Sequence, residues 1–233
     1  MRALVVGCLI LQVAILLTGC GDMPVAKSNS SVKKKQKRPG AVPSTKIEID
    51  PNMYGSVPEA LADVKRLVES GDVGAGHQLL KTETWIVRQG DKNVAMLAER
   101  VADDSEHIAI RMTACRVLCK LGPVGRPAVT AATDSPKKEL RVKAIECLGR
   151  IKPVEKASLD KLISLIDDKE YDIRKAALLG IKATEKEGAA ATTKLMAVLN
   201  NTSEDETIRS LAKDALKSVD PRKGLMGADK ARP

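Results

Sequence analysis

The chain has 233 residues, with 39 Lys and Arg against 30 Asp and Glu and a formal net charge of +9. It contains no phenylalanine, one tryptophan and two tyrosines, so the aromatic platforms on which bases or sugars stack are nearly missing and nucleic acid is disfavoured as a partner. The charge is also unevenly placed: residues 20–50 hold seven basic and three acidic residues, whereas the part beyond them holds 31 basic and 27 acidic, a mixed surface rather than a basic stripe.

Met1-Arg2 supplies a short positive start, Ala3 to Leu17 is apolar, and the run closes on Leu17-Thr18-Gly19-Cys20. That apolar run is shorter than the roughly 20 residues a spanning helix needs and reads as a secretion signal over residues 1–19. Leu-Thr-Gly-Cys resembles the lipobox of bacterial lipoproteins. The resemblance implies cleavage before Cys20, thioether lipidation of its sulfur and acylation of the new amino terminus, hence a stable membrane anchor. In such lipoproteins aspartate directly after the cysteine favours retention at the inner membrane. Gly21 stands there, which favours the outer membrane, facing the periplasm.

Residues 20–50 are rich in Ser, Pro, Lys and Asn and poor in apolar side chains, too little buried surface to offset ordering entropy, so they read as a flexible tether. Within it Lys33, Lys34, Lys35, Lys37 and Arg38 form the densest charge run of the chain. Attraction to anionic head groups or acidic wall polymer and a merely solvated linker both account for that run.

Ser56-Val57-Pro58-Glu59 is a capping box with proline in the first turn, and it opens a helix to Gly71. A second helical stretch from about Ala75 to Gln89 completes a pair, residues 51–90. Beyond it one pattern recurs: IRMTACRVL from Ile110, LRVKAIECL from Leu140, IRKAALLGI from Ile173 and IRSLAKDAL from Ile208. An Ile or Leu, an Arg, an Ala three residues later and an apolar residue four beyond that lie on one helix face. The arginines Arg111, Arg141, Arg174 and Arg209 stand 30, 33 and 35 residues apart, the spacing of an array. Each such segment is preceded by a shorter helical stretch, near Asn93–Ala102, Arg126–Thr133, Ala157–Ile166 and Ala189–Leu199, with turn residues between. The divergent first pair reads as a capping unit, the four units occupy residues 91–220, and residues 221–233 read as a frayed tail. No stretch alternates as a half-buried strand does. The fold class is therefore all-α, an α-solenoid of about five antiparallel helical hairpins.

An aspartate in the turn, an arginine six or seven residues on, and Ala and Leu at fixed offsets resemble the HEAT repeat over about Asn93 to Val219. Asp104 with Arg111, Asp134 with Arg141 and Asp168 with Arg174 keep that spacing. The unit of Arg209 has Thr202 where the aspartate would fall. LGPVGRPAV, Leu121 to Val129, is similar to the junctions of bacterial HEAT-like proteins, including those grouped with phycobilin lyases. The resemblance implies that each arginine and turn aspartate make a structural contact between neighbouring hairpins, a charge-assisted pair that is reason enough for both residues.

Cys115, Cys119 and Cys147 remain after the lipid site. Cys147 falls where the other units have Val117, Gly180 and Ala215 and reads as a small core residue. Cys119 falls where they have Gly149, Lys182 and Lys217 and is the expected exposed thiol. Zinc needs four ligands, and neither His77 nor His107 completes a set with these thiols, so no metal is expected. No nucleophile, zincin or phosphate-loop motif occurs, so neither catalytic residue nor cofactor nor small-molecule substrate is expected. Taken together the residues point to a non-catalytic, lipid-anchored scaffold for a protein partner in the cell envelope. The alternatives are an architectural membrane-to-wall tether acting through the basic linker and, less favoured, a phycobilin-lyase-like protein.

Overall fold

Ser56 accepts a hydrogen bond from the Glu59 N–H at 3.3 Å, with Pro58 in the first turn. This cap starts α1, Val57–Ser70, which Gly71 closes in the left-handed conformation at φ 65°. Glu59 reaches back to the N–H of Gly55 at 2.9 Å, one residue before the reciprocal partner that a capping box calls for. The computed structural model describes residues 48–222. After α1 follow α2 (Ala75–Arg88), α3 (Val94–Ala102), α4 (Ile108–Leu121), α5 (Arg126–Ala132), α6 (Lys138–Leu148), α7 (Lys156–Ser164), α8 (Tyr171–Thr184), α9 (Thr192–Asn200) and α10 (Glu206–Val219). Among the described residues there is no strand, and the ten helices form the five hairpins of an all-α solenoid.

The recurring pattern is the core. Ala114, Ala144, Ala177 and Ala212, each three residues after a repeat arginine, are 0% exposed, as are Leu118, Leu148, Ile181 and Leu216 four residues further on. An alanine at that place lets helices approach closely, and each large apolar side chain contributes about 1.5–3 kcal/mol by leaving water. The second helices of the hairpins form a continuous row, α4 on α6, α6 on α8 and α8 on α10, while α5, α7 and α9 each pack mainly on their own partner. The α6 and α8 backbones approach closely at two glycines: a Cβ on Gly149 would lie 1.9 Å from the Gly180 carbonyl oxygen.

The first pair is closed by the segment in front of it. Ile49 is buried, Trp85 Nε1 donates to the Pro51 carbonyl at 2.9 Å, and the Tyr54 ring meets Trp85 edge to face at 5.3 Å. The Tyr54 hydroxyl donates to Asp63 at 2.6 Å and lies 2.7 Å from Thr82 Oγ1. Ile49, inside the stretch whose composition reads as tether, thus belongs to the packed core. Trp85 is a packing residue of the first pair.

Candidate functional site

The repeat arginines sit at the start of the second helices, close to the turns where the next hairpin must dock. Their partners differ from those the spacing suggests. Only Asp104 pairs with the arginine of its own unit: Arg111 Nη1 lies 2.8 Å from Asp104 Oδ1, off the N–H direction, while Arg111 Nε donates to the Val101 carbonyl at 3.0 Å. Arg141 instead pairs with Glu170 of the following hairpin. Arg174 reaches Glu204 of the following hairpin at 3.0 Å and donates to the backbone carbonyl of Asp168 at 3.1 Å, not to its carboxylate. The Asp168 side chain accepts the Glu170 N–H at 2.8 Å, holding its own turn. Asp134 pairs with Lys161 at 2.7 Å, and Asp167 with Lys194. Among the described residues Arg209, in the last hairpin, has no ion pair.

Two ladders therefore run along the array, both aimed forward. One joins a second-helix arginine to a glutamate just before the next second helix; the other joins a turn aspartate to a lysine on the next first helix. At the first junction the rungs are missing, because Pro136 and Lys137 stand where a glutamate would be needed and Ala128 stands where Lys161 and Lys194 stand later. Arg111, only 3% exposed, then turns back to Asp104, since a buried guanidinium without a counter-charge is strongly destabilising. The pairing expected for Asp134 with Arg141 and for Asp168 with Arg174 is thus corrected.

The first pair is tied on by a carboxylate that the sequence pattern did not single out. Glu83 of α2, buried, meets Arg116 at 2.9 Å and Lys120 at 2.8 Å, both on α4. Its signal would have been an acidic residue on the apolar side of α2.

Beside this bridge is a cleft of about 460 Å³ lined by Glu83, Arg116, Cys119, Lys120, Gly122, Cys147, Arg150 and Lys152. Cys115 and Cys147 are buried and Cys119 is half-buried, and all three thiols are free. Cys119 Sγ lies 3.4 Å from the Cys147 carbonyl oxygen. The neighbouring thiols of Cys115 and Cys119, and then Lys143 and Arg150, hold the Cys147 thiol below its ordinary range. Donation to Cys147, then burial, pushes the other two thiols up. Among the described residues no cluster of His, Cys, Asp and Glu has an arrangement that could hold a metal ion. His107 caps α4, accepting the Ala109 N–H at 3.3 Å, and His77 is exposed on α2.

The outward side of the second helices is the remaining surface of note. It presents Met112, Arg116 and Lys120 on α4, Val142, Glu146 and Arg150 on or just past α6, Lys175, Leu179 and Lys182 on α8, and Asp214 and Lys217 on α10. Cys20 and the run Lys33, Lys34, Lys35, Lys37 and Arg38 lie outside the described residues. Among those described, no helix is long and apolar enough to cross a membrane.

No curated protein matches the chain. A family model of HEAT repeats matches residues 94–182 and again 126–217, together more than half of the length, with the four repeat arginines inside the matched span. The chain is a helical-repeat scaffold and belongs to the HEAT-repeat family.

Proposed function

We propose that this scaffold is non-catalytic, anchored through lipid on Cys20 in the bacterial cell envelope, at the outer membrane facing the periplasm, and that it holds a protein partner on the outward side of its second helices. The observation that carries the reading is the second-helix row itself. It leaves half-buried Met112, Val142 and Leu179 amid Arg116, Arg150 and Lys175 on one side, a run of apolar anchors ringed by charge of the kind protein interfaces use. Solenoids characteristically bind along such extended surfaces.

The test is capture from native envelopes with the acylated full chain, beside a variant carrying Met112→Glu and Leu179→Glu and a variant with Lys33 to Arg38 neutralised. The expected outcome is one protein recovered in stoichiometric amount by the wild type and by the neutralised tether, and lost from the face variant with its helical melting curve intact. Cys20→Ser is expected to move the chain out of the membrane fraction. The basic run supports a second reading, an architectural membrane-to-wall tether. Recovery of lipid or wall material alone, abolished by neutralising the run, would replace the first reading with that one.

A further inference from the structure

The register of the second-helix row decides which side chains meet across each junction. The residue eight beyond one repeat arginine comes against the backbone of the residue six beyond the next. Between α6 and α8 those residues are Gly149 and Gly180, and the approach is so close that a Cβ on Gly149 would lie 2.8 Å from Gly180 Cα. Between α4 and α6 the same two places hold Cys119 and Cys147, and the Cys119 sulfur rests 3.4 Å from the Cys147 carbonyl. The Cys119 thiol thus lies against the backbone of Cys147 at the corresponding close approach of α4 to α6. Both cysteines line a cleft whose other walls carry Arg116, Lys120, Arg150 and Lys152. Arg116 and Lys120 share Glu83, and Lys152 lies 3.0 Å from Glu187. No ion pair engages Arg150, which is exposed among the described residues.

We propose that Cys119 and Cys147 form a dithiol pair that reacts with small anionic disulfides, of which oxidised glutathione is the representative, and closes into a disulfide joining the second and third hairpins. The cationic walls concentrate the carboxylates of such a disulfide beside the half-buried Cys119. Cys119 releases its proton to solvent through the cleft, and its thiolate attacks one sulfur of the disulfide. A bond forms from Cys119 to that sulfur, the original S–S bond breaks, and the first thiolate leaves and is protonated by solvent. Cys147 then attacks Cys119 Sγ. The internal disulfide forms, and the second thiolate leaves and is protonated by solvent. Two protein thiols are oxidised and one external disulfide is reduced to two thiols, a balanced exchange. Cys115, fully buried, takes no part.

The experiment treats the reduced full chain with oxidised glutathione, traps remaining thiols by alkylation and maps the peptides. The expected product has lost two hydrogens, carries a Cys119–Cys147 link and, of the three cysteines of the array, an alkylated thiol at Cys115 alone, and reverts on adding dithiothreitol. Arg150→Gln is expected to slow the reaction several-fold with oxidised glutathione and to leave its rate unchanged with uncharged 2-hydroxyethyl disulfide. A glutathione adduct on Cys119 that never resolves, a link through Cys115, or folded protein inert to both reagents overturns the dithiol pair. Equal slowing with both disulfides overturns the role of the cleft.

Discussion

At the scale of single residues, the same amino acid does different work according to what the next hairpin offers it. Arg141 is about a quarter exposed and pairs with the partly exposed Glu170, so solvent screens the pair and its coupling belongs near the upper end of the surface range. A double-mutant cycle on Arg141→Ala and Glu170→Ala is expected to give about 0.5–1.5 kcal/mol of coupling, read by chemical denaturation. The parallel cycle on Arg141→Ala and Asp134→Ala is expected to give close to zero, and comparable coupling in both would show that Arg141 divides its charge between the two turns. The residues that make the ladders were only half legible in the sequence. The arginines declare themselves by recurring, but three of the four turns offer several carboxylates within two or three positions, and which one a long guanidinium reaches depends on how far each hairpin is advanced on the last. Spacings of 27 residues from Asp134 to Lys161 and 29 from Arg141 to Glu170 carry the information, yet they become visible only once one hairpin is known to dock forward on its neighbour.

At the scale of the element, helix placement followed from pattern because the apolar positions and the caps agree. Alanine in the recurring place is fully buried in all four copies, and the first helix begins at the Ser56 cap that its sequence announces. The places where second helices touch were harder to foresee, since a glycine after a helix reads equally well as a stop signal. Gly149 is a contact: an added methyl would lie 1.9 Å from the Gly180 oxygen, backbone that cannot step aside without parting α6 from α8. Gly149→Ala is expected to destabilise the array by about 1–3 kcal/mol. Gly74→Ala serves as the control, because its added methyl meets nothing within 4 Å and its φ of −79° suits any residue. Equal effects of the two substitutions on the denaturation midpoint would mean that α6 and α8 have room to spare.

At the scale of the whole molecule, stability is distributed over charge pairs on the turns as well as over the buried row. Asp172 is held below its ordinary value by the Lys138 ammonium, Asp103 by the hydroxyl and N–H of Ser105, and Glu187 by the Val154 N–H and then Lys152. A carboxyl depressed by folding contributes above its unfolded pKa and loses that contribution as pH falls through its folded value, so the share of these three is lost below about pH 4. Lys138 is raised by Asp172, and Tyr54 is raised by burial and by its bond to Asp63. Groups raised by folding contribute below their unfolded pKa, and their share is lost above about pH 10. Melting temperature measured against pH is therefore expected to drop at both limits, with Asp172→Asn flattening part of the acid arm. An acid arm that Asp172→Asn leaves unaltered would place the sensitivity in other carboxyls. The array architecture was legible at this scale because a repeat states its own period. What the scaffold holds was not, because a binding face is made of exposed side chains on which the period imposes nothing.

The forward direction of the ladders has a consequence for the order in which the protein can be made. Arg141 and Arg174 each await a carboxylate encoded about 30 residues later: Glu170 for Arg141, Glu204 for Arg174. A chain emerging from the ribosome thus presents each new hairpin with its cation still unneutralised until the next turn has been synthesised. Consolidation trails synthesis by one hairpin, the order being set by electrostatics as well as by chain length. Nascent chains stalled with their last emerged residue just before Glu204 are expected to show the fourth hairpin cut readily by protease, and those stalled a few residues beyond the end of α10 to show it protected. Glu204→Gln is expected to delay that protection without abolishing it.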